Sequence, residues 1–191
     1  LDKTGTITKG QPEVTDITGK QTLKIAASLE RTSEHPLAEA IVKKSKTFFK
    51  TTAFKAIPGY GVTAKIKSKQ YWLGNRRLMN KNKVSLVKYS KQLTKLESQG
   101  KTVMILADKK QVIGLIAVAD TVRKTSQRAV QQLKELGLKV YMITGDNERT
   151  AKAIAKRVGI NNVFAEVLPK DKANYVKKLQ KKGKVAMIGD G

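Results

Sequence analysis

Apolar positions change their spacing along the chain, and each change predicts a different kind of element. Residues 21–47 carry helix-forming sequence interrupted once, at SEHP, where Pro36 suits the first turn of a second helix because its missing N–H is not needed there. Short segments punctuated by Gly and Pro follow, TAFKAIPGYGVTAKIK and then QYWLGN, and the alternation in VTAKIK predicts a half-buried antiparallel strand. Residues 85–99 place Leu86, Val87, Tyr89, Leu93 and Leu96 near one face and predict a helix. Two apolar runs, TVMILAD and QVIGLIAVAD, are split by DKK and read as a hairpin.

Beyond Asp120 the rhythm becomes regular. A helix over 124–136 stops at Gly137, and LKVYMI is a nearly continuous apolar run, the pattern of a strand buried on both faces. Helix 148–158 aligns Ala151, Ile154, Ala155 and Val158 and stops at Gly159; NVFAEV, helix 170–182 and KVAMIGD continue the alternation. Strand and helix in strict succession imply right-handed crossovers and a parallel sheet. Such sheets hold ligands beyond the carboxyl ends of their strands, where Asp2, Thr144-Gly145-Asp146 and Gly189-Asp190-Gly191 fall. The simplest architecture is a doubly wound domain from residues 1–14 and 118–191, with residues 15–117 inserted as a second, mixed domain.

Composition narrows the field less than pattern does. Zero cysteines exclude disulfides and thiolate metal sites, and the single His35 excludes a multi-histidine zinc site. No apolar run approaches the ~20 residues that span a bilayer. The net charge of +24 suits a polyanionic partner such as nucleic acid, an anionic membrane face or a nucleotide, or else simply a solvated lysine-rich surface. Aromatic residues are 5% of the chain and no RNA-binding signature or zinc finger is present, so base stacking has little to work with.

Four short motifs carry candidate chemistry. In DKTGT, Asp2 ends a strand and precedes a loop of free backbone amides; this can be a capped turn, or a phosphate nest beside a carboxylate able to attack phosphorus. ITGDN (143–147) is either a helix cap or a phosphoryl-binding corner made of a hydroxyl and a helix amino end. LPKDK supplies Lys172, a point charge for a phosphoryl group, which spacing alone cannot single out among so many lysines. GDG ends an apolar strand with Asp190, which together with Asp2 offers the hard oxygen ligands that magnesium prefers.

In combination and in this order, the motifs resemble the haloacid-dehalogenase-like phosphotransferases, and DKTGT with TGDN is the signature of P-type ATPases. SEHPLAEAIV, PGYGV and LGNRRLM in the insert resemble the nucleotide-binding domain of heavy-metal-transporting P-type ATPases, nearest to copper exporters. The resemblance covers essentially the whole chain. It implies a doubly wound α/β phosphorylation domain carrying an inserted α+β nucleotide-binding domain built on an antiparallel sheet.

It also implies roles. Asp2 is the phosphorylation site, and magnesium is held by Asp2, the Thr4 carbonyl and Asp190. Thr6, Thr144, Gly145 and Lys172 hold the phosphoryl group, and Asp146 supports the site. Glu34, His35, Gly59, Gly61 and Asn75 match ATP-binding positions, with His35 stacking on or bonding to the adenine and Glu34 accepting from its amino group. Related phosphatases carry an acid two residues after the nucleophile; Thr4 stands there instead and cannot activate water well, so an aspartyl phosphate should persist. The cofactors implied are ATP and Mg2+. The partners implied are transmembrane and actuator domains outside this chain and, for the full pump, a metallochaperone; nucleic acid is not expected. The location implied is the cytoplasmic face of a cell membrane, with this chain an internal piece of the pump that binds nucleotide better than it turns over. The alternatives are a freestanding phosphatase with a large cap and a basic nucleic-acid-binding module.

Overall fold

The two apolar runs split by a short polar turn pair with each other. In a computed structural model, which describes residues 1–189, the hairpin pairs β5 (Thr102–Asp108) with β6 (Val112–Val122) in antiparallel register from Thr102↔Val118 to Ala107↔Val112. Its turn is closed by Asp108, whose Oδ1 accepts from the amides of Lys110 and Gln111 at 2.8 and 2.9 Å. Residues 190 and 191, and with them the Asp190 magnesium ligand, lie outside the described residues.

The chain divides into two compact units. One comprises residues 1–11, 97–100 and 120–191, the other residues 12–96 and 101–119. The chain leaves the first unit within β1 (Thr8–Thr18) and returns to it within β6.

The second unit is built on an antiparallel sheet ordered β1-β6-β5-β4-β3-β2, with β2 at Thr51–Ile57, β3 at Gly61–Ile66 and β4 at Lys69–Gly74. The period-two pattern sorts residues onto two apolar faces. Met104 and Leu106 of β5 and Ile116 and Val118 of β6 face Ile25, Leu29 and Ile41, from α1 (Thr22–Glu30) and α2 (Pro36–Lys44). Val103, Ile105, Leu115 and Ala117 face Leu78 of α3 (Arg76–Lys81) and Leu93 of α4 (Ser90–Ser98). The helix read over 85–99 is split: a tight 3-10 turn at Val87–Tyr89 precedes α4, and Val87 is left exposed.

The first unit holds α5 (Ser126–Glu135), β7 (Tyr141–Ile143), α6 (Glu148–Val158), β8 (Asn162–Phe164) and α7 (Lys172–Gln180). The strands β7 and β8 are parallel, and Asp2 forms a parallel bridge to Ile143 on the other side. The amphipathic stripe of α6 (Ala151, Ile154, Ala155, Val158) packs with Ile7, Val130 and Met142 in one buried cluster. Asn147 caps this helix, its Oδ1 accepting from the Thr150 amide at 3.0 Å, and Gly159 ends it with φ +78.

Both parallel strands are shorter than the apolar runs that predict them, for reasons visible in their hydrogen bonds. The Val140 carbonyl accepts from the Asn162 side chain at 3.2 Å, so a side-chain amide takes the place of a ladder bond there. Past Phe164 the backbone turns through Glu166 at φ +58, and the amides of Glu166 and Val167 donate to the carbonyls of Asp146 and Thr144 at 2.8 and 3.1 Å. Residues 184–189, read as a strand, carry no regular strand; the Asp2 amide donates to the Ile188 carbonyl at 2.8 Å.

Candidate active site

Asp2 is held at the end of its strand by hydrogen bonds on both sides. Its amide reaches Ile188, and the Ile143 amide donates to the Leu1 carbonyl at 2.9 Å. Because Asp2 is bridged to Ile143, the residue that follows Ile143 in the chain, Thr144, opens its loop at the same end of the parallel array. DKTGT and TGD are thereby adjacent, beyond the carboxyl ends of neighbouring strands.

Two ion pairs join these loops. Lys172 Nζ pairs with Asp2 Oδ2, bringing together residues separated by 170 positions, with side-chain exposures of 32% and 16%. Lys3 Nζ pairs with Asp146 Oδ2 at 2.8 Å, and these side chains are only 10% and 11% exposed. The other Asp2 oxygen, Oδ1, accepts from the Lys3 amide at 2.7 Å. Lysine charge next to both carboxylates offsets their mutual repulsion in a partly dehydrated corner, where an unpaired charge would be costly.

The loop after Asp2 turns sharply. Thr4 is extended (φ −70, ψ 132) and Gly5 is left-handed (φ +73), a conformation that costs glycine little. Thr6 is half-buried in this loop. Thr144 is buried; its hydroxyl accepts from the Asp146 amide at 3.1 Å, and its own amide donates to Phe164. Gly145 is exposed between them. Seven of the predicted site residues, Asp2, Thr4, Thr6, Thr144, Gly145, Asp146 and Lys172, therefore lie in one corner of the first unit.

A magnesium ion would meet oxygen donors here, the Asp2 carboxylate and the Thr4 carbonyl, which is the donor chemistry that hard cation takes. Asp2 Oδ2 already faces a cationic group, the Lys172 ammonium. Among the described residues no cluster of three or more His, Cys, Asp or Glu side chains forms a self-sufficient metal cage.

The predicted nucleotide positions all lie in the second unit. His35 caps α2, its Nδ1 accepting from the Leu37 amide at 3.1 Å, and Glu34 beside it is exposed. Gly59, Gly61 and Asn75 form a separate corner: Asn75 Nδ2 donates to the Gly59 carbonyl at 2.7 Å while its Oδ1 caps α3 through the Leu78 amide at 3.1 Å. Gly59 has φ +76. At Gly61 (φ +138) a Cβ would lie 2.2 Å from the Leu73 carbonyl, so close approach of β3 to Gly74 of β4 already demands glycine there.

A residue missed in the sequence reading stands out beside His35. Glu30 ends α1 only 3% exposed, and its Oε2 is buried with no hydrogen-bond partner. Burial pushes its carboxyl up from 4.5 to about 7, against the opposing effect of a hydrogen bond from Ser33. The Ser33 hydroxyl also accepts from the His35 amide, at 3.5 Å, so Glu30 is linked to the SEHP turn. The signal was present: Glu30 lies four residues after Ala26 and three after Ala27, on the buried side of its helix.

The haloacid dehalogenase-like hydrolase family matches residues 1–191. Copper-exporting P-type ATPases of Staphylococcus aureus strains JH9 and MW2 are each 52% identical over 198 residues, a match that takes in 100% of this chain and 25% of theirs. The chain thus spans a quarter of the length of the curated relatives it matches. Among solved structures, the catalytic domain of the CPx-ATPase CopB-B, studied for conformational changes on nucleotide binding, is 30% identical with a TM-score of 0.76, over 100% of this chain and 69% of that one. A zinc-transporting PIB-type ATPase in its E2.Pi state is 34% identical with a TM-score of 0.61, over 100% of this chain and 32% of that one.

Proposed function

Because the chain belongs to the haloacid dehalogenase-like hydrolases and to the CPx-type ATPase catalytic domains, we propose that it is the ATP-binding and phosphorylation part of a copper-exporting P-type pump. The observation that carries this reading is the convergence of Lys172 and the TGD corner on Asp2.

Asp2 Oδ attacks the γ-phosphorus of ATP, a P–O bond to the carboxylate forms, and the bond to the β,γ-bridging oxygen breaks to release ADP. Lys172, paired with the attacking carboxylate, is placed to pass its charge to the incoming phosphoryl oxygens. The Thr144 hydroxyl and the Gly145 and Asp146 region bound the same corner, and Lys3 keeps Asp146 from adding an uncompensated negative charge. Asp2, the Thr4 carbonyl and Asp190 would hold Mg2+ brought with the nucleotide, which would supply charge neutralisation between carboxylate and phosphate. Thr4 has no acidic group to take a proton from water, so the phosphoenzyme outlives the transfer.

Nucleotide is held by the second unit. His35 and the Gly59–Asn75 corner bound its site, with Glu34 as the acceptor for the adenine amino group. Copper as cargo, membrane and actuator domains as partners, a metallochaperone serving the full pump and placement at the cytoplasmic membrane face belong to the parent pump and are part of the same proposal. No helix among the described residues is long and apolar enough to cross a membrane.

The test is Asp2→Asn. Incubated with MgATP labelled in the γ-phosphate, the wild-type chain should take label and the variant none, while calorimetry finds ATP bound equally by both. Label retained by the variant would end the assignment.

A further inference from the structure

We propose that the second unit collects its nucleotide by long-range charge: the stretch from Ala40 to Leu96, which holds no acidic residue, steers nucleotide phosphates to the Gly59–Asn75 corner. The proposal rests on the reading of that corner as part of the nucleotide site.

The net charge of +24 is not spread evenly along the chain. Residues 40–96 carry 15 lysines and arginines and none of the chain's 15 acidic residues, where an even spread would put about four of those acids. This stretch alone therefore holds +15 of the +24, in 57 of 191 residues. Folding does not dilute it. The stretch forms the end of α2, then β2, β3 and β4, with β2 on the sheet edge, followed by α3 and most of α4. Every lysine in it is exposed, as is Arg77, and Arg76 is half-buried. Lys69 meets an acid from outside the stretch, Asp108 of β5, at 2.7 Å.

The nucleotide corner lies inside this stretch. Gly59 sits in the β2–β3 turn, Gly61 opens β3, and Asn75 follows β4. Arg76 and Arg77 come next, and Lys81 at the end of α3 stands with its Nζ 5.5 Å from the Tyr60 ring centroid. Farther out, Lys55 on β2 and Lys65 on β3 are each four residues from the nearer glycine, ~13 Å along a strand, and Lys67 lies ~20 Å away at the far turn. Screening decides which of these charges a ligand feels. The nearer ones dominate at ~0.15 M salt, where the Debye length is ~8 Å, and all six act together at ~0.01 M, where it is ~30 Å. A surface field of one sign raises association rates roughly 10- to 1,000-fold and acts before contact, so it leaves dissociation to the contacts themselves. Capture then scales with the negative charge of the ligand, and a triphosphate is collected faster than a di- or monophosphate.

The test is stopped-flow binding to the full chain of ATP that carries a methylanthraniloyl fluorophore on its ribose. In ~0.01 M salt, the triple variant Lys55→Gln, Lys65→Gln, Lys67→Gln should associate about 10-fold more slowly than wild type with magnesium-free ATP, which bears about four negative charges. MgATP bears half that charge, which halves the electrostatic energy, so its loss should be about threefold. Dissociation should stay within about twofold, and variant and wild type should converge at ~0.3 M salt. Changing the same three lysines to Arg should keep the wild-type rate, which separates charge from packing. If the triple Gln variant melts below the assay temperature, the three single variants carry the measurement, each losing about twofold with magnesium-free ATP. An association rate unmoved by the loss of charge, equal losses with and without magnesium, or an effect confined to dissociation would overturn the proposal. A wild-type chain that binds no labelled nucleotide would instead overturn the reading of the nucleotide corner, and the steering with it.

Discussion

Replacing Glu30 by Gln isolates the energetic cost of a buried carboxyl kept beside the SEHP turn. Glu30 is 3% exposed, its Oε2 meets no partner, and its carboxyl is raised from 4.5 to about 7 by burial despite the hydrogen bond from Ser33. Between those values the folded chain retains a proton that the unfolded chain has released. Stability must therefore fall as pH rises through that window. At ~1.36 kcal/mol for each tenfold step, the fall is on the order of 3 kcal/mol. Gln keeps the shape and can still accept from Ser33, but its buried amide costs about 1–3 kcal/mol on its own account. The sign at a single pH is therefore not the test. The test is the change in the stability gap between variant and wild type from pH 4 to pH 8, in which all other titrating groups cancel. The assay is urea unfolding followed by fluorescence of Trp72, the chain's one tryptophan, which packs in the same unit as Glu30. The gap should move in favour of Glu30→Gln by about 3 kcal/mol. A gap constant across that range, or one that moves the other way, would refute the reasoning.

Three further outcomes are expected. Thr4→Asp places an acid two residues beyond the nucleophile and should shorten the life of the phosphoenzyme, read as faster loss of label after an excess of unlabelled ATP is added. His35→Ala should weaken ATP binding in calorimetry while leaving labelling by acetyl phosphate intact, although its cap on α2 accounts for about 1 kcal/mol of stability as well. Gly61→Ala sets a Cβ against the Leu73 carbonyl at φ +138 and should destabilise the second unit by roughly 2–4 kcal/mol in the same Trp72 assay.

What could be read from sequence was what depends on neighbours along the chain. Helix α6 begins and ends where its apolar stripe, Asn147 cap and Gly159 say it should, and the β5–β6 hairpin follows from two apolar runs and a short polar turn. The DKTGT and TGD loops were legible for the same reason, since each is a short string whose residues act side by side. Other features depend on partners remote in sequence and left no local trace. β8 stops at Phe164 because the amides beyond it are drawn to Thr144 and Asp146, and nothing in NVFAEV announces that. Asp120 and Arg123 look like ordinary polar residues at a strand end; only the folded chain brings them to Gly5 and Thr8. Spacing could not single out Lys172 among so many lysines; the resemblance named it, and the fold brings it to Asp2. Glu30 was concealed by a simpler bias: a charged residue at a helix end reads as solvated, even where the helix spacing places it inward.

The central claim is that Asp2 becomes covalently phosphorylated. An acyl phosphate on Asp is reduced by borohydride to homoserine, whereas phosphate esters of Ser or Thr are untouched. The chain labelled with MgATP, reduced and digested, should yield an amino-terminal peptide in which residue 2 is homoserine. Homoserine at any other position, or label that resists reduction, would contradict the account.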